Sequence, residues 1–278
     1  MDARSFHASR RYANTAFGRV AYVERGSGPV AVFVHGFPLN GFQWRDVIES
    51  LAGTRRCVAL DQMGLGHTEV AANQSLELAD QAAMVAAVAD ALGADRIDLI
   101  GNDSGGGICQ AFAARFPNRV RSLTLTNCEV HDYWPNEALK NFYDSWRAGA
   151  VVPALQAMLN DPSVARAGFG PAYEDPTHLT DEAVRVYLEP ILASEERIAT
   201  LTAWCSRTRT RRRPSLSSRR SSGSRRRLSS CGPTPTSSST RARSTGWSGP
   251  FRASGSSSPC RRESSSSPRS APRSSPAH

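Results

Sequence analysis

The chain of 278 residues carries a formal net charge of +9, and its length suits one large domain or a domain with an insertion. Residues 206–278 contain 17 Arg, no Lys and one acidic residue, Glu263, hence a charge of +16, while residues 1–205 are net acidic. The basic balance is therefore poor evidence that the whole chain binds nucleic acid. Composition excludes a collagen-like fibre, and no apolar run reaches the ~20 residues of a membrane-spanning helix.

The predicted elements alternate between strands and helices. In chain order the strands are residues 11–15, 19–24, 30–34, 56–60, 97–100 and 120–126, and the helices are residues 44–51, 76–92 and 108–116. Residues 30–34 are apolar at every position, which is typical of a strand covered on both faces. Strands separated by helices require parallel crossover connections, so the pattern predicts a doubly wound, mostly parallel α/β sheet.

Three segments follow from this pattern. Residues 1–130 are expected to form the core, and residues 131–204, helical with Pro, Gly and aromatic breaks, a helical cap inserted on the sheet. Residues 205–278 form an Arg/Ser/Pro-rich tail in which only ten of the last 73 residues are apolar. So few apolar side chains cannot offset the entropy lost on ordering, and we expect the tail to be disordered.

The cysteines and the N-terminus indicate a cytoplasmic protein. The six cysteines show no CxxC pair, and Cys57, Cys109 and Cys128 fall in apolar segments where buried free thiols are expected. The first residues, MDARSFHASRRY, lack the apolar stretch of a signal peptide.

The segment DLIGNDSGGG, residues 98–107, leads from a buried strand into a helix. A nucleophile elbow on such a turn requires small residues two positions before and two positions after the nucleophile. Asp103 meets this requirement through Gly101 and Gly105, whereas Ser104 would have Asn102 before it. The sequence therefore predicts Asp103 as a nucleophile, stabilised by the helix N-terminus beside it.

Two other interpretations of this segment are weaker. Asp103 could simply cap the helix, but three successive glycines at a helix start cost on the order of 1 kcal/mol each against Ala, and a cap does not need them. The segment matches neither common phosphate-binding loop, and Asp103 would repel phosphate.

A second motif, HGFP at residues 35–38, follows the buried strand of residues 30–34. A loop there can aim the backbone N–H of Phe37 at the elbow. Together with the N–H of Ser104 it would form a two-donor oxyanion hole. For His35 itself we expect a hydrogen bond to nearby backbone.

The segments VAVFVHGFPLNGFQW, VALDQMGLGHTE and IDLIGNDSGGGICQAFAARFPNRVRSLTLTN resemble the α/β-hydrolase fold, and an Asp at the elbow resembles its haloalkane dehalogenase and epoxide hydrolase branch. The resemblance implies that Asp103 attacks a carbon of a small apolar substrate and forms an alkyl-enzyme ester, which a His-activated water hydrolyses. It implies no metal or organic cofactor. It also implies no membrane and no specific nucleic-acid partner, although the tail is expected to bind polyanions nonspecifically.

The resemblance leaves the subfamily open. Dehalogenases usually hold halide with an Asn after the His-Gly pair and a Trp after the nucleophile, where this chain has Phe37 and Ser104. Fluoroacetate dehalogenases place an Arg at the second of these positions. Epoxide hydrolases use cap tyrosines as acids, and the cap offers Tyr133, Tyr143, Tyr173 and Tyr187. No motif singles out one of them, and packing is the favoured role for each. As substrate contacts we expect Trp44, Tyr133, Trp134 and Tyr143.

The rest of the catalytic triad is not evident. The family order places an acid and then a His after the nucleophile. Glu129 is the candidate acid, although helix capping or solvent exposure is the favoured explanation for it. His278 lies in the tail, His131 and His178 lie in the cap, and His67 follows an earlier strand. No base is therefore assigned.

Three hypotheses address the tail and the missing base. One Lys against 33 Arg suggests a GC-rich gene, so residues from about 206 onward are interpreted as an out-of-frame reading that replaces later strands and the base. Alternatively, the tail is genuine and binds nucleic acid or other polyanions with steep salt dependence. A third possibility is an inactive or non-catalytic binding homologue of the α/β-hydrolases.

Overall fold

The computed structural model describes residues 1–128, 141, 144–145 and 148–207, with side chains up to Trp204. Six strands in this part form one mixed sheet in the order β1-β2-β4-β3-β5-β6. They are β1 (Arg10–Thr15), β2 (Gly18–Arg25), β3 (Val30–Val34), β4 (Arg56–Leu60), β5 (Ile97–Asn102) and β6 (Val120–Thr126). The four strands β3 to β6 pair in parallel, and β1 and β2 join antiparallel on the β4 side. The predicted mostly parallel sheet is confirmed.

Eight helices accompany the sheet within the described residues. They are α1 (Ala3–Ala8), α2 (Arg45–Leu51), α3 (Leu78–Ala91), α4 (Ser104–Arg115), α5 (Val151–Asn160), α6 (Pro162–Phe169), α7 (Asp181–Leu192) and α8 (Glu195–Arg207). The sequence did not predict α1, a short helix whose Asp2 side chain accepts a hydrogen bond from the Ser5 N–H. Its Phe6 packs edge-on against Phe42, with ring centroids 5.3 Å apart.

Helix α4 begins at Ser104 and not at the predicted residue 108. The glycines at its start have low helix propensity, which displaced the predicted boundary. Tertiary packing overrides that propensity, because the glycines are where the helix presses against the ends of β3 and β6. The nucleophile candidate therefore stands directly at the junction between β5 and α4.

The strands of the sheet centre bury different residues on their two faces, as the period of two along a strand requires. Ala31 and Phe33 of β3 share a small cluster with Trp44, Ile48 and two β4 residues. The alternate residues of β3 belong to the large core, which also contains side chains of α3, α4 and helices α5 to α8. The covered sheet fixes where the strand ends emerge, and the site lies at those ends.

Helices α5 to α8 lie in the predicted cap segment and contact the core through hydrogen bonds to backbone carbonyls. The Asn40 side chain donates to the Val186 carbonyl at 2.7 Å. The Arg197 guanidinium of α8 donates to the Thr68 carbonyl at 2.7 Å and also to that of Gly66. Within the described residues, no helix is long and apolar enough to cross a membrane.

Candidate functional site

Asp103 occupies a strained backbone position at the turn from β5 to α4. Its φ is 51° and its ψ is −127°, a conformation that non-glycine residues adopt only when the surroundings impose it. The Asp103 side chain does not cap α4. Helix capping therefore does not explain the position of the Asp103 carboxylate.

The glycines around Asp103 show why the turn is sterically demanding. A Cβ on Gly105 would stand 2.3 Å from the Val34 carbonyl oxygen, and one on Gly101 would stand 2.6 Å from the Gly105 oxygen. A Cβ on Gly106 would meet the Cβ of Cys128 at 2.1 Å, whereas the nearest atom to one on Gly107 is 3.6 Å away. Backbone packing therefore demands the two flanking glycines that the sequence pattern singled out.

The HGFP loop reaches the Asp103 carboxylate from the end of β3. The Phe37 N–H donates a hydrogen bond to Asp103 Oδ2 at 2.8 Å. A Cβ on Gly36 would lie 2.9 Å from both the Cβ and Oδ2 of Asp103, so only glycine permits this approach. The Phe37 ring stacks on Trp204 with centroids 4.4 Å apart and planes 17° apart.

Ser104 is the first residue of α4, so its backbone N–H is one of the helix amides without an intrahelical acceptor. Such amides are the usual source of a second oxyanion donor. Its hydroxyl is buried and has no hydrogen-bond partner among the described residues. Ser104 therefore offers a backbone donor beside Asp103 but places no indole or guanidinium there.

His35 holds the peptide that presents the Phe37 N–H. Its Nε2 accepts from the Gln62 backbone N–H at 2.9 Å, so the proton resides on Nδ1, which donates to the Gly36 carbonyl at 2.8 Å. Burial lowers the pKa of His35, and the ring is neutral. The Gly36 carbonyl and the Phe37 N–H lie on opposite sides of one planar peptide, so holding the oxygen aims the N–H at Asp103. The expected backbone role of His35 is confirmed.

Gln43 joins this loop to the end of β5. Its Oε1 accepts from the Gly36 N–H at 2.8 Å, and its Nε2 donates to Asn102 Oδ1 at 2.7 Å. Asn102 in turn donates to the Thr126 carbonyl at the end of β6 at 3.0 Å. One side-chain network therefore ties the ends of β3, β5 and β6 together around Asp103, and the sequence pattern gave no signal for it.

A cavity of about 320 Å³ opens in front of Asp103. Asp103 and Phe37 line its core side, and Phe169, Tyr173, Leu179 and Tyr187 line its cap side. A mostly apolar cavity with a few polar groups is typical of a small-molecule site. Desolvation by burial is the largest cause that raises the pKa of Tyr173 and of Tyr187, so both phenols hold their protons at neutral pH.

Of the other predicted acid and substrate-contact residues, Trp44 is the one within the described residues, and it does not line this cavity. Trp44 packs against Phe33, with ring centroids 5.4 Å apart, in the small cluster on the other face of the sheet, so we assign it to packing and not to substrate. Four more lie outside the described residues: Glu129, Tyr133, Trp134 and Tyr143. Tyr173 and Tyr187 are the cap tyrosines that the described structure places on the cavity wall.

No histidine of the described segments lines the cavity. His178 is largely exposed, 3.9 Å from the Asp175 carboxylate. His67 lies in the loop after β4, where its ring stands edge-on to His7. His131 and His278 fall outside the described part of the chain. The same described segments contain no group of three or more His, Cys, Asp or Glu that could hold a metal ion.

Comparison with known proteins shows the family to which this chain belongs. A family model described as the alpha/beta hydrolase fold matches residues 29–233, and the chain belongs to this family. It is 33% identical over 138 residues to haloalkane dehalogenase 2 of Mycobacterium tuberculosis, covering 50% of this chain and 47% of that protein. It is 32% identical over 147 residues to epoxide hydrolase 2 of Siraitia grosvenorii, covering 52% of this chain and 46% of that protein.

Among solved structures, the epoxide hydrolase CorEH without ligand matches with a TM-score of 0.59 at 23% identity, covering 71% of this chain and 72% of that one. This likeness shows the fold. The chain spans about half the length of the two curated relatives described here. The class is therefore an α/β-hydrolase-fold protein related to haloalkane dehalogenases and epoxide hydrolases.

Proposed function

We propose that this chain carries out the first half of a hydrolase reaction, in which Asp103 attacks an electrophilic carbon of a small apolar epoxide or haloalkane and forms an alkyl-enzyme ester. The observation that carries the proposal is the Asp103 carboxylate, which sits at a strained strand-to-helix turn, accepts the Phe37 N–H and faces the cavity. A structural aspartate needs neither the strain nor the cavity.

We assign different roles to the two oxygens of Asp103. The Phe37 N–H donates to Oδ2, and the attack on carbon is assigned to Oδ1. As the C–O bond of the ester forms, the bond from carbon to the leaving oxygen or halide breaks and takes its electron pair with it. Phe37 and the first amides of α4 then stabilise the oxyanion that water would generate when it attacks the ester.

The cap side of the cavity favours an epoxide over a haloalkane as the substrate. An opened epoxide leaves an alkoxide that needs a proton. Tyr173 and Tyr187 are protonated phenols on the cap side of the same cavity that Asp103 lines from the core side. A departing halide needs N–H donors, and Ser104 offers no side-chain nitrogen beside the nucleophile. Haloalkanes remain the second substrate class, and the relatives include both activities by name.

Hydrolysis of the ester needs a general base that activates water. The sequence offers no His at the place that the family order gives to the base, and we propose on this ground that the chain stalls at the ester. Because a stalled ester remains attached to Asp103, it can be detected as a covalent adduct.

The decisive experiment is mass spectrometry of the chain after incubation with styrene oxide and, separately, 1-bromobutane. We expect a covalent adduct on the peptide that contains Asp103. Asp103→Asn should form none, and it should fold because Asn tolerates positive φ better than most residues. Asp90→Asn, which changes an exposed carboxylate paired with Arg119, should label like the unaltered chain. An adduct that persists in Asp103→Asn, or no adduct in the unaltered chain, would contradict the assignment.

We propose that the tail, from about residue 206 onward, is an out-of-frame reading of its gene. The Ser run of residues 264–267 supports this origin. If these serines are TCN codons, the frame that starts at the third base reads three NTC codons. Every NTC codon encodes Phe, Leu, Ile or Val, so a Ser-rich segment in this frame is an apolar, strand-like segment in its neighbour. The nucleotide sequence tests the proposal, which fails if neither other frame encodes a strand, an acidic residue and a late His.

A further inference from the structure

Asn127 follows β6 directly and lines the cavity together with Asp103. Within the described segments these are the two non-glycine residues with a positive φ, which is 51° for Asp103 and 40° for Asn127. Asparagine adopts such a conformation more readily than most residues, but the conformation still costs free energy that the surroundings must offset. Strained positions cluster at functional sites, and here both of them lie on one cavity.

The residues on either side of Asn127 are held by contacts with the turn that carries the nucleophile. The Thr126 carbonyl accepts a hydrogen bond from the Asp103 backbone N–H at 3.4 Å. Cys128 packs so closely on α4 that a Cβ on Gly106 would stand 2.1 Å from the Cys128 Cβ. Both chain neighbours therefore fix Asn127 beside the nucleophile, at the sheet edge where β5 and β6 end.

Two side-chain amides line the cavity, those of Asn102 and Asn127, and the fold uses only the first. Asn102 Oδ1 accepts from Gln43 Nε2 at 2.7 Å, and its Nδ2 donates to the Thr126 carbonyl at 3.0 Å and hydroxyl at 3.1 Å. No described residue forms a hydrogen bond with the Asn127 side chain, and Asn127 is exposed. Because a carboxamide offers two N–H donors and a carbonyl acceptor, Asn127 keeps its hydrogen-bonding capacity for a molecule in the cavity.

We propose that Asn127 is a specificity-determining residue that binds a hydroxyl group on the carbon next to the epoxide ring. The inference rests on the proposed function. Displacement by Asp103 is in line, so the leaving oxygen lies across the reacting carbon from the carboxylate, toward the cap tyrosines. Asn127 stands at the same sheet edge as Asp103, so it meets a substituent beside the reacting carbon and not the leaving oxygen. The favoured substrates are therefore small epoxy alcohols, whose hydroxyl pairs with the carboxamide as donor or acceptor.

The test uses two epoxides of the same size that differ at one position. Glycidol carries a hydroxyl group where 1,2-epoxybutane carries a methyl group. The rate of adduct formation on Asp103 is measured by mass spectrometry for each reagent with the full chain. The quantity compared between variants is the ratio of the two rates, because this comparison cancels the difference in intrinsic reactivity between the reagents.

We expect Asn127→Gly and Asn127→Ala to lower the ratio of glycidol to epoxybutane labelling by roughly 3- to 10-fold, the effect of one lost neutral hydrogen bond. Glycine removes the backbone strain together with the amide, whereas alanine removes the amide and keeps the strain. A loss in both variants therefore assigns the effect to the amide. The control is Asn118→Gly, at an exposed residue in the turn before β6 that does not line the cavity, and its ratio should match that of the unaltered chain.

Circular dichroism checks that each variant folds. An unchanged ratio in both Asn127 variants, or a loss in Asn127→Gly alone, overturns the inference. Failure of both epoxides to label Asp103 in the unaltered chain overturns the proposed function instead, and the role of Asn127 falls with it.

Discussion

The two sides of the cavity are built in different ways. The core side is built from backbone. The Phe37 N–H donates to the Asp103 carboxylate, Gly36 packs closely against its side chain, and Asp103 has a positive φ. These three features together fix the position of the carboxylate. The cap side is made of side chains on helices and turns, among them Phe169, Tyr173 and Tyr187. The comparison shows that main-chain geometry fixes the Asp103 carboxylate, whereas side chains of helices and turns form the facing wall of the cavity.

On the core side, the addition of a single methyl group should destabilise the fold. In Gly105→Ala the new methyl group would overlap the Val34 and His35 carbonyl oxygens, which stand 2.3 and 2.4 Å away. We expect a loss of about 3 kcal/mol in the free energy of unfolding, measured by urea denaturation. The matched control is Gly107→Ala in the same helix, where the nearest atom is 3.6 Å away and a gain of about 0.5–1 kcal/mol is expected. Equal effects in the two variants would show that helix propensity, and not packing, controls this turn.

A substitution on the cap side should change the rate at which Asp103 reacts with an epoxide and leave the fold intact. Tyr187→Phe keeps the ring contact with Phe42 but removes the hydroxyl. We expect ~100-fold slower labelling of Asp103 by styrene oxide and unchanged labelling by 1-bromobutane. Tyr22→Phe, which alters a buried tyrosine of β2 away from the cavity, is the control. Equal loss with both reagents would assign Tyr187 to packing alone.

The smallest effect concerns the loop on which the cap rests. Burial, followed by the charge of Arg10, lowers the pKa of His67 from 6.5 to about 4. Between these values the unfolded chain binds more protons than the folded one, so stability should fall as the pH drops from 7 toward 4. Urea midpoints at pH 7 and pH 5 should show a smaller drop in His67→Gln than in the unaltered chain. His178→Gln, at an exposed histidine, should behave like the unaltered chain.

The sequence predicted the core side of the site well because its signals are local. Strands such as Val30–Val34 and Val120–Thr126 have the predicted bounds. The glycines on either side of Asp103 are required by close contacts between segments that lie next to each other. The HGFP motif placed Phe37 near Asp103 because the carboxyl ends of parallel strands meet at one sheet edge. Each of these inferences depends on only a few consecutive residues.

The cap side could not be predicted in the same way. Which cap tyrosine reaches the cavity depends on how helices more than 60 residues from Asp103 in sequence pack onto the core, and no motif marks Tyr173 or Tyr187. Trp44 was expected to contact substrate, but the helical turn there directs it to the other face of the sheet. The Gln43 network joins three strand ends and has no sequence signature.

The flat stack of Trp204 on Phe37 gives the protein a built-in optical reporter. Formation of an ester on Asp103 removes a negative charge at the far end of the Phe37 hydrogen bond, and the emission of an indole responds to such changes in its local electric field. Fluorescence recorded during exposure to an epoxide should therefore follow alkylation in real time, without any attached dye.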